Sequence, residues 1–535
     1  MTVDPQPYDA GAGPRMSRRA FGVGAAAVGL AGTARSDEGE RMQDLTSLTA
    51  AIRAGSVTAQ GHVRKTLRRV TALSGLNAFV TLDEEGALGR AVATDEAVEA
   101  GAPIGPLAGS LIAVKDNIAV RNLPMTAGTP ALRAYRPFAN ASAWARLEAA
   151  GATCLGKTGM HELAFGGTSA SPAFGVICNP WRTDIAMTPG GSSGGTGAAV
   201  AAGLGDAGLG TDTVGSIRMP SSLCGLVGFR PSVGRLPMDG VAPLSHTRDV
   251  IGPMTRSVAD AALLDAIMAG EAPTPLPRRP LRGLRLVAPE DPCWLGLDPA
   301  TEAACRSAIS RLSRAGVTVV RRAIPGLFTL ANAAGVNILL SEMIGDMRAF
   351  LERDVTDVTL DDLIAGISLP EVKLIWSQAR DAETLLGLLA AIAREQHRPV
   401  LHAILSEALK AERAEAMVFP TTIRPALPVR ESGELEVQPG VWAPAGMAYT
   451  RNMEAGTAAG WCGISLPVGI TPEGLPVGLS IEAPPGKDRA LLVLAAELER
   501  TLGFDARPPV GASRVSSVTE SSTHPTEKHN SEAVG

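Results

Sequence analysis

Hydrophobic and polar positions alternate along the chain with two periods, one typical of helices and one typical of strands. Apolar residues recur at helical spacing within 45–80, and the same pattern predicts helices over 141–150, 192–202, 258–268, 301–315 and 489–502. Short apolar runs predict buried strands at 111–114, 152–155, 284–288, 317–320, 417–420 and 464–468. Strands that alternate with helices predict an α/β fold, with a sheet covered by helices on both faces.

Two further segments complete the organisation of the chain. Residues from about 327 to 414 have a mostly helical pattern in which apolar residues are interleaved with acids and bases. Residues 508–535 are rich in Ser, Thr, Glu and His and contain almost no large apolar residue, which predicts a disordered tail. One folded domain is therefore expected over 37–507, with 327–414 as a variable helical segment.

The N-terminal segment 1–36 has the pattern of an export signal. Arg18 and Arg19 precede an uncharged stretch over 20–34 that ends in small residues. This order predicts a twin-arginine signal and a periplasmic or extracellular protein. The alternative is a disordered extension of a cytoplasmic protein whose translation begins at Met16. The apolar stretch is too short for a stable membrane span, and no later stretch is expected to form one, so no membrane contact is predicted after signal removal.

Composition narrows the function classes. The 535-residue chain is 45% hydrophobic and 19% charged, which is enough apolar material for a large core. A formal net charge of -5 gives no indication of a nucleic-acid partner. The six cysteines have no C-x-x-C spacing, which argues against a zinc site or a disulfide framework. Neither a metal nor a cofactor is expected.

The candidate chemistry lies in two segments rich in small residues and hydroxyls, GGSSGG at 190–195 and GTDTVGSIR at 210–218. Both bring backbone donors and serine hydroxyls close together. Lys115 lies upstream, after the apolar run 111–114. A serine needs a base to attack a carbonyl carbon, and a lysine that burial keeps neutral can be that base. The sequence therefore contains the parts of a hydrolase that uses two serines and a lysine.

Two generic motifs in the same region do not have the required context. Residues 190–194 match G-x-S-x-G, but an α/β-hydrolase needs an apolar strand before this motif, and 183–189 are polar and contain proline. Residues 203–208 match G-x-G-x-x-G, but they follow a predicted helix and lead into a strand, the reverse of a dinucleotide fingerprint.

From 107 to 235 the chain resembles the amidase signature family almost continuously. The shared boxes, in the family's order and at its spacing, are AVKDN (113–117), GGSSGG (190–195), GTDTVGSIR (210–218), CGLVGFRP (224–231), GPM (252–254), VFPT (418–421), LPVG (466–469) and GLPVG (474–478). The resemblance implies a central mixed β-sheet and a Ser-cisSer-Lys triad. By that resemblance Ser216 is the nucleophile, Ser192 is the bridging serine after a cis peptide bond, and Lys115 is the base.

The resemblance also implies an oxyanion hole made by the backbone N–H groups of Thr213, Val214, Gly215 and Ser216. Supporting roles fall to Gly191, Ser193, Asp212 and Arg218. The family usually has a glycine at the position of Val214. Because valine fills more space beside the oxyanion hole, we expect retained activity with an altered pocket.

Each of these residues also has a purely structural interpretation. Lys115 could be a surface lysine paired with Asp116, Ser192 and Ser193 could cap the next helix, and Ser216 could be an ordinary loop serine. Two other residues are expected to be structural: Lys157 in a turn after a strand, and His246 as a hydrogen-bonding residue of its loop.

The substrate is indicated by a subfamily resemblance. The segments GMHELAFG (159–166) and PLSHTRD (243–249) resemble the branch of mandelamide and indoleacetamide hydrolases. This implies a small-molecule partner, a primary amide of an arylacetic acid, hydrolysed with release of ammonia. Candidate pocket residues are Met160, His161 at the entrance, Thr168, Ile338, Met343 and Trp376.

Three other functions stay open at this stage. The chain could be a glutamine-dependent amidotransferase subunit, an ester or carbamate hydrolase on the same triad, or an inactive exported binding protein. The export signal and the absence of a basic charge balance count against the first, and the intact triad counts against the last. Assembly stays open as well, with a homodimer as one alternative.

Overall fold

A computed structural model of the chain describes residues 44–509 except 291, 432 and 439. The predicted export signal and nearly all of the predicted tail lie outside these residues. The α-helices are α1 (Leu45–Arg53), α2 (Ala59–Ala72), α3 (Glu84–Glu99), α4 (Ser142–Ala149), α5 (Gly194–Ala201), α6 (Arg218–Cys224), α7 (Val258–Ala269), α8 (Pro299–Arg314), α9 (Leu327–Phe350), α10 (Leu360–Ala365), α11 (Pro370–Asp381), α12 (Glu383–Ile392), α13 (Arg398–Glu412), α14 (Ala445–Thr450), α15 (Glu454–Ala458) and α16 (Asp488–Leu502). The strands are β1 (Phe79–Leu82), β2 (Leu111–Lys115), β3 (Thr153–Thr158), β4 (Ala170–Ser171), β5 (Gly175–Val176), β6 (Ala207–Asp212), β7 (Val227–Arg230), β8 (Val250–Thr255), β9 (Arg285–Pro289), β10 (Thr318–Arg322), β11 (Ala416–Pro420), β12 (Glu434–Gln438), β13 (Val441–Pro444), β14 (Cys462–Ile470) and β15 (Pro476–Ala483).

Eleven of these strands form one mixed sheet in the order β1-β3-β2-β6-β8-β7-β14-β15-β11-β9-β10. Strand β2 is parallel to both of its neighbours, β3 and β6. From β6 to β15 the pairing is antiparallel, and β9 is again parallel to β10 and β11. The mixed sheet with interspersed helices confirms the predicted α/β class.

Both faces of the sheet are buried around β2. Successive side chains of a strand point to opposite faces, so alternate residues of β2 belong to different hydrophobic clusters. Ile112 and Val114 belong to one hydrophobic cluster, which also contains Trp144 of α4. Leu111 and Ala113 belong to another, which contains residues of α1, α2 and α5. By the same alternation Lys115 lies on the face of Leu111 and Ala113. This is the face covered by α5.

The elements with a clear apolar period are confirmed. Helices α4, α7, α8 and α16 begin and end within about two residues of their predicted bounds, and Ser257 caps α7 by accepting a hydrogen bond from Asp260 N. The segment 327–414 is helical as predicted, with π-helical turns at Leu351–Val355 and Ala393–His397. Helix α3 and the β12–β13 hairpin were not predicted.

Contrary to expectation, the helical run Leu327–Val355 meets the length and hydropathy of a membrane span. About 44% of its most apolar window is buried inside the fold, where α9 packs against α12 and α15. A core helix of a folded protein can have the same length and composition, so these two properties do not distinguish a membrane span from a core helix.

A partly buried ion pair links α2 to the start of the β2–β6 pair. The Asp206 carboxylate accepts a hydrogen bond from Leu111 N at 2.8 Å and lies 2.9 Å from His62 Nε2. Burial lowers the pKa of His62, but Asp206 outweighs this effect, so the net pKa is raised above 6.5. The stabilisation by protonated His62 is therefore fully present below pH 6.5 and is lost as the pH rises through the raised folded-state pKa.

We predict that Asp206→Asn lowers the free energy of unfolding by about 2 kcal/mol at pH 6 and by less at pH 9, because His62 loses its proton as the pH rises. Urea denaturation followed by tryptophan fluorescence measures both values. Asp184→Asn, which alters an exposed carboxylate, is the matched control and should have little effect. An equal loss at both pH values would contradict the role of His62.

Candidate active site

Lys115 ends β2 and lies completely buried beside the glycine-serine run. Its Nζ lies 2.7 Å from Ser192 Oγ and 2.7 Å from Thr211 Oγ1. Burial lowers the pKa of Lys115 to about 7, although the nearby Asp212 and Asp249 act in the opposite direction. A lysine with this pKa is partly neutral near pH 7, so its nitrogen can accept a proton from Ser192.

Thr211 and Asn117 also lie around the lysine amine, and neither was assigned a role from the sequence. Asn117 Nδ2 donates to Thr211 Oγ1 at 3.1 Å, and the same hydroxyl faces Lys115. Both residues lie in boxes that carry the family resemblance. Their place in these boxes is a signal in the sequence that they belong to the site, but their contact with the lysine forms only when β2 and β6 pair.

Backbone geometry brings Ser192 to this position. The Gly191–Ser192 peptide bond is cis, as the resemblance implies, and Gly190 has a φ of +83°, which favours glycine. A Cβ on Gly195 would lie 2.4 Å from the carbonyl oxygen of Gly159, so only glycine allows this close approach. Helix α5 begins at Gly194, two residues later than predicted.

The alternative in which Ser193 caps α5 is wrong. Ser193 occupies the N-cap position but makes no side-chain capping bond. Its Oγ lies 3.3 Å from Thr211 O and 3.4 Å from Thr211 N, and its backbone N–H donates to Ser216 O at 3.3 Å. Ser193 therefore joins the start of α5 to the segment that carries Ser216.

Ser216 follows β6 in a turn whose carbonyl groups all face protein donors. Thr213 O accepts from Arg248 Nε at 3.3 Å. Val214 O accepts from Arg218 Nη2 at 3.2 Å and from Thr457 Oγ1 at 3.3 Å. Gly215 O accepts from Met219 N at 2.7 Å. In a trans peptide the N–H points opposite to the C=O, so the N–H groups of residues 214–216 point away from these donors. Within 44–509, none of these three N–H groups donates to a protein acceptor. The turn therefore presents a row of free N–H groups beside a serine that is 8% exposed.

A buried ionic network lies behind this turn. Asp212 accepts from Arg218 Nε at 3.0 Å and from Arg230 Nη1 at 3.1 Å, and Arg218 also pairs with Glu482. Burial raises the pKa of Asp212, but the two guanidinium groups outweigh burial and hold it at about 2. Asp212 and Arg218 are thus placed as supports of the turn, with the charge of Asp212 paired to the two guanidinium groups.

The loop before β8 supports the same turn from another side. Asp249 Oδ1 accepts from Thr213 Oγ1 at 2.6 Å, and Arg248 pairs with Glu454 at 2.9 Å. Both residues occur in the segment that resembles the mandelamide and indoleacetamide hydrolase branch. The sequence identified the segment but not its contact with residue 213.

Among the predicted pocket residues, His161 lies closest to the serine pair. Its backbone N–H donates to Ser192 O at 3.0 Å, and its side chain is buried, whereas an entrance position was expected. Met160 is buried in the core, and Thr168 is half-buried beside His161. The helical candidates are packed inside the fold without exposed surface: Ile338, Met343 and Trp376.

The placement of Lys157 in a turn is also wrong. Lys157 lies within β3, is fully buried, and its Nζ is 3.1 Å from Asp116 Oδ1. Asp116 therefore pairs with Lys157 and not with Lys115. It also accepts from Thr126 N at 3.0 Å, which fixes the loop after β2. Because its charge is paired, Lys157 is unsuited to act as the base.

One His/Asp/Glu group among the described residues has spacing suitable for a metal ion: His246, Glu342 and Asp346. Carboxylate oxygen atoms of this group already accept hydrogen bonds from protein donors. Glu342 accepts from Ser245 Oγ at 2.5 Å, and Asp346 accepts from His246 N at 2.7 Å. These bonds hold the loop before β8 onto α9, in line with the structural role expected for His246.

Comparison with known proteins places the chain among amide hydrolases. The family profile described as Amidase matches residues 62–492. Mandelamide hydrolase of Pseudomonas putida is 38% identical over 483 residues, covering 87% of this chain and 92% of the relative. Indoleacetamide hydrolase of Agrobacterium vitis is 37% identical over 448 residues, covering 84% and 94%.

A solved crystal structure of an amidase has the same fold. It superposes with a TM-score of 0.77 at 31% sequence identity, and the match covers 86% of this chain and 99% of that chain. Together with the match of the family profile to residues 62–492, this shows that the chain belongs to the amidase signature family and is a hydrolase of amide C–N bonds.

Proposed function

We propose that the chain hydrolyses a small primary amide of an arylacetic-type acid, using Lys115, Ser192 and Ser216 as its catalytic residues. The observation that carries this proposal is the 2.7 Å distance between Lys115 Nζ and Ser192 Oγ at a buried position. A fully charged lysine has no lone pair with which to accept a proton, whereas a lysine with a pKa of about 7 has one in a large fraction of molecules.

In the first step Ser216 Oγ attacks the amide carbonyl carbon. Its proton passes to Ser192 Oγ while the proton of Ser192 passes to Lys115 Nζ. The carbonyl oxygen becomes an oxyanion, which accepts hydrogen bonds from the backbone N–H groups of residues 213–216. One such donor typically lowers the barrier by about 3 kcal/mol.

In the second step the C–N bond breaks. The proton on Lys115 returns through Ser192 to the departing nitrogen, which leaves as ammonia, and the acyl group stays on Ser216 as an ester. Water then attacks this ester and gives its proton to Lys115 through Ser192. The carboxylic acid leaves, and Ser216 regains its proton.

One observation supports an arylacetamide substrate. The relatives that match most of the chain include mandelamide and indoleacetamide hydrolases, at 37–38% identity. Val214 is half-buried at a position where the family usually has glycine. A valine side chain takes more space than glycine, so we expect an acyl pocket of altered shape.

The first prediction concerns ammonia release from phenylacetamide, mandelamide, indole-3-acetamide, short aliphatic amides and glutamine, with the corresponding esters assayed by acid release. We expect turnover of at least one arylacetamide. Ser216→Ala should lower kcat by a factor of about 10⁴ to 10⁶, because the acyl-enzyme cannot form. Ser307→Ala, on the exposed side of α8, is the matched control and should leave kcat unchanged.

Other results of this assay distinguish the competing functions. Release from aliphatic amides alone would keep the mechanism and contradict the substrate. Glutamine as the only substrate would favour an amidotransferase subunit, and turnover of esters alone would favour an esterase. No turnover of any compound by the wild-type chain would favour a binding protein.

The second prediction is a pH dependence. The neutral form of Lys115 is the active base, so kcat/KM should rise with pH through about 7 and level off above it. Lys115→Arg should be inactive across this range, since a guanidinium stays protonated. Initial rates of ammonia release between pH 5 and pH 9 measure the profile. A flat wild-type profile over this range would be inconsistent with Lys115 as the base.

A further inference from the structure

The imidazole of His161 is held in one tautomer. Its Nδ1 lies 3.2 Å from Ser169 N, and a backbone N–H can only donate, so Nδ1 must accept. Burial and the nearby Lys115 lower the pKa of His161 to about 4, which keeps the ring neutral at physiological pH. A neutral ring that accepts at Nδ1 carries its single hydrogen on Nε2.

That Nε2–H is available for a ligand. No residue in the described part of the chain accepts a hydrogen bond from it. Nε2 is also not fully buried, because it does not belong to the fully buried polar atoms that lack a partner. A Cβ on Gly166 would lie 2.1 Å from Nε2, 2.4 Å from Cδ2 and 2.5 Å from Cε1. Nearly equal distances to three ring atoms place Gly166 over the ring face, so it does not block the edge from which the N–H points.

The backbone of His161 lies beside the serine pair, and its ring lies close enough to Lys115 for the lysine charge to lower the pKa of the imidazole. The backbone N–H of His161 donates to Ser192 O at 3.0 Å, and Gly166 O lies 3.1 Å from where a Cβ of Gly191 would be. His161 and Gly166 therefore flank the Gly191–Ser192 peptide. An N–H donor fixed at this place can contact a substrate whose carbonyl carbon is bonded to Ser216.

We propose that His161 Nε2–H donates a hydrogen bond to an oxygen substituent on the α-carbon of the acyl group, so that the site favours 2-hydroxy arylacetamides over unsubstituted ones. This inference rests on the proposed function and names the substrate class more closely. A site built around such a donor discriminates against the analogue that lacks the hydroxyl, because the donor then loses its partner.

Two substitutions separate the donor from the scaffold. His161→Asn places an amide oxygen near the position of Nδ1, where it can still accept from Ser169 N, but it removes the donor at Nε2. His161→Gln places an amide N–H near the position of Nε2 and loses the acceptor for Ser169. The readout is the ratio of kcat/KM for mandelamide to that for phenylacetamide, which differ only in the α-hydroxyl.

We expect the wild-type chain to prefer mandelamide. His161→Asn should lower kcat/KM for mandelamide about tenfold more than kcat/KM for phenylacetamide. His161→Gln should lower turnover of both substrates and keep most of the ratio. An equal fall for both substrates in His161→Asn would overturn the inference and leave a merely structural residue.

A binding measurement keeps this test separate from the test of the proposed function. Calorimetric titration with mandelate and phenylacetate needs no turnover, so it applies even if the wild-type chain hydrolyses neither amide. We expect tighter binding of mandelate, with the preference lost in His161→Asn. Equal affinity of the wild-type chain for the two acids, or a mandelate preference that survives in His161→Asn, would overturn the inference, whereas absent turnover alone would contradict only the proposed function.

Discussion

The burial of a single lysine amine is the constraint on which this site depends. An ammonium group removed from water must find a counter-charge or give up its proton. The immediate partners of Lys115 Nζ are two neutral hydroxyls, those of Ser192 and Thr211, so burial lowers its pKa to about 7. The nearby carboxylate of Asp212 raises the pKa of Lys115. Arg218 and Arg230 donate hydrogen bonds to this carboxylate, and their positive charges limit its effect on the lysine. The lysine can thus exchange a proton with Ser192.

The same ionic network shapes the turn that carries Ser216, the proposed nucleophile. Arg218 and Arg248 bind carbonyl oxygens of the turn and are themselves held by Asp212, Glu482 and Glu454. Fixing the carbonyl groups on one side leaves the following N–H groups on the other, where an oxyanion can form. Preorganised donors of this kind need no rearrangement during the reaction, and this is why buried charge is useful here in spite of its desolvation cost.

The sequence predicted those parts of the molecule that depend on neighbours along the chain. The apolar run before Lys115 and the helix over 258–268 follow from local periodicity, and the three boxes around Lys115, Ser192 and Ser216 carried the family resemblance. What it missed depends on residues far apart in the chain. Asp116 is 41 positions from its partner Lys157, and Arg218 is 264 positions from Glu482; neither pair leaves a periodic pattern. Thr211 and Asn117 were visible in their boxes, but only strand pairing brings them to the lysine.

The most direct test of this account is the titration of Lys115 itself. NMR spectra of the chain with isotope-labelled lysine would be recorded across the pH range, for the wild type and for Lys115→Met. The account predicts one lysine resonance that titrates near pH 7 and disappears in the variant. If every lysine resonance of the wild-type chain titrated above about pH 9, near the usual value for lysine, Lys115 would remain charged at neutral pH and could not be the base.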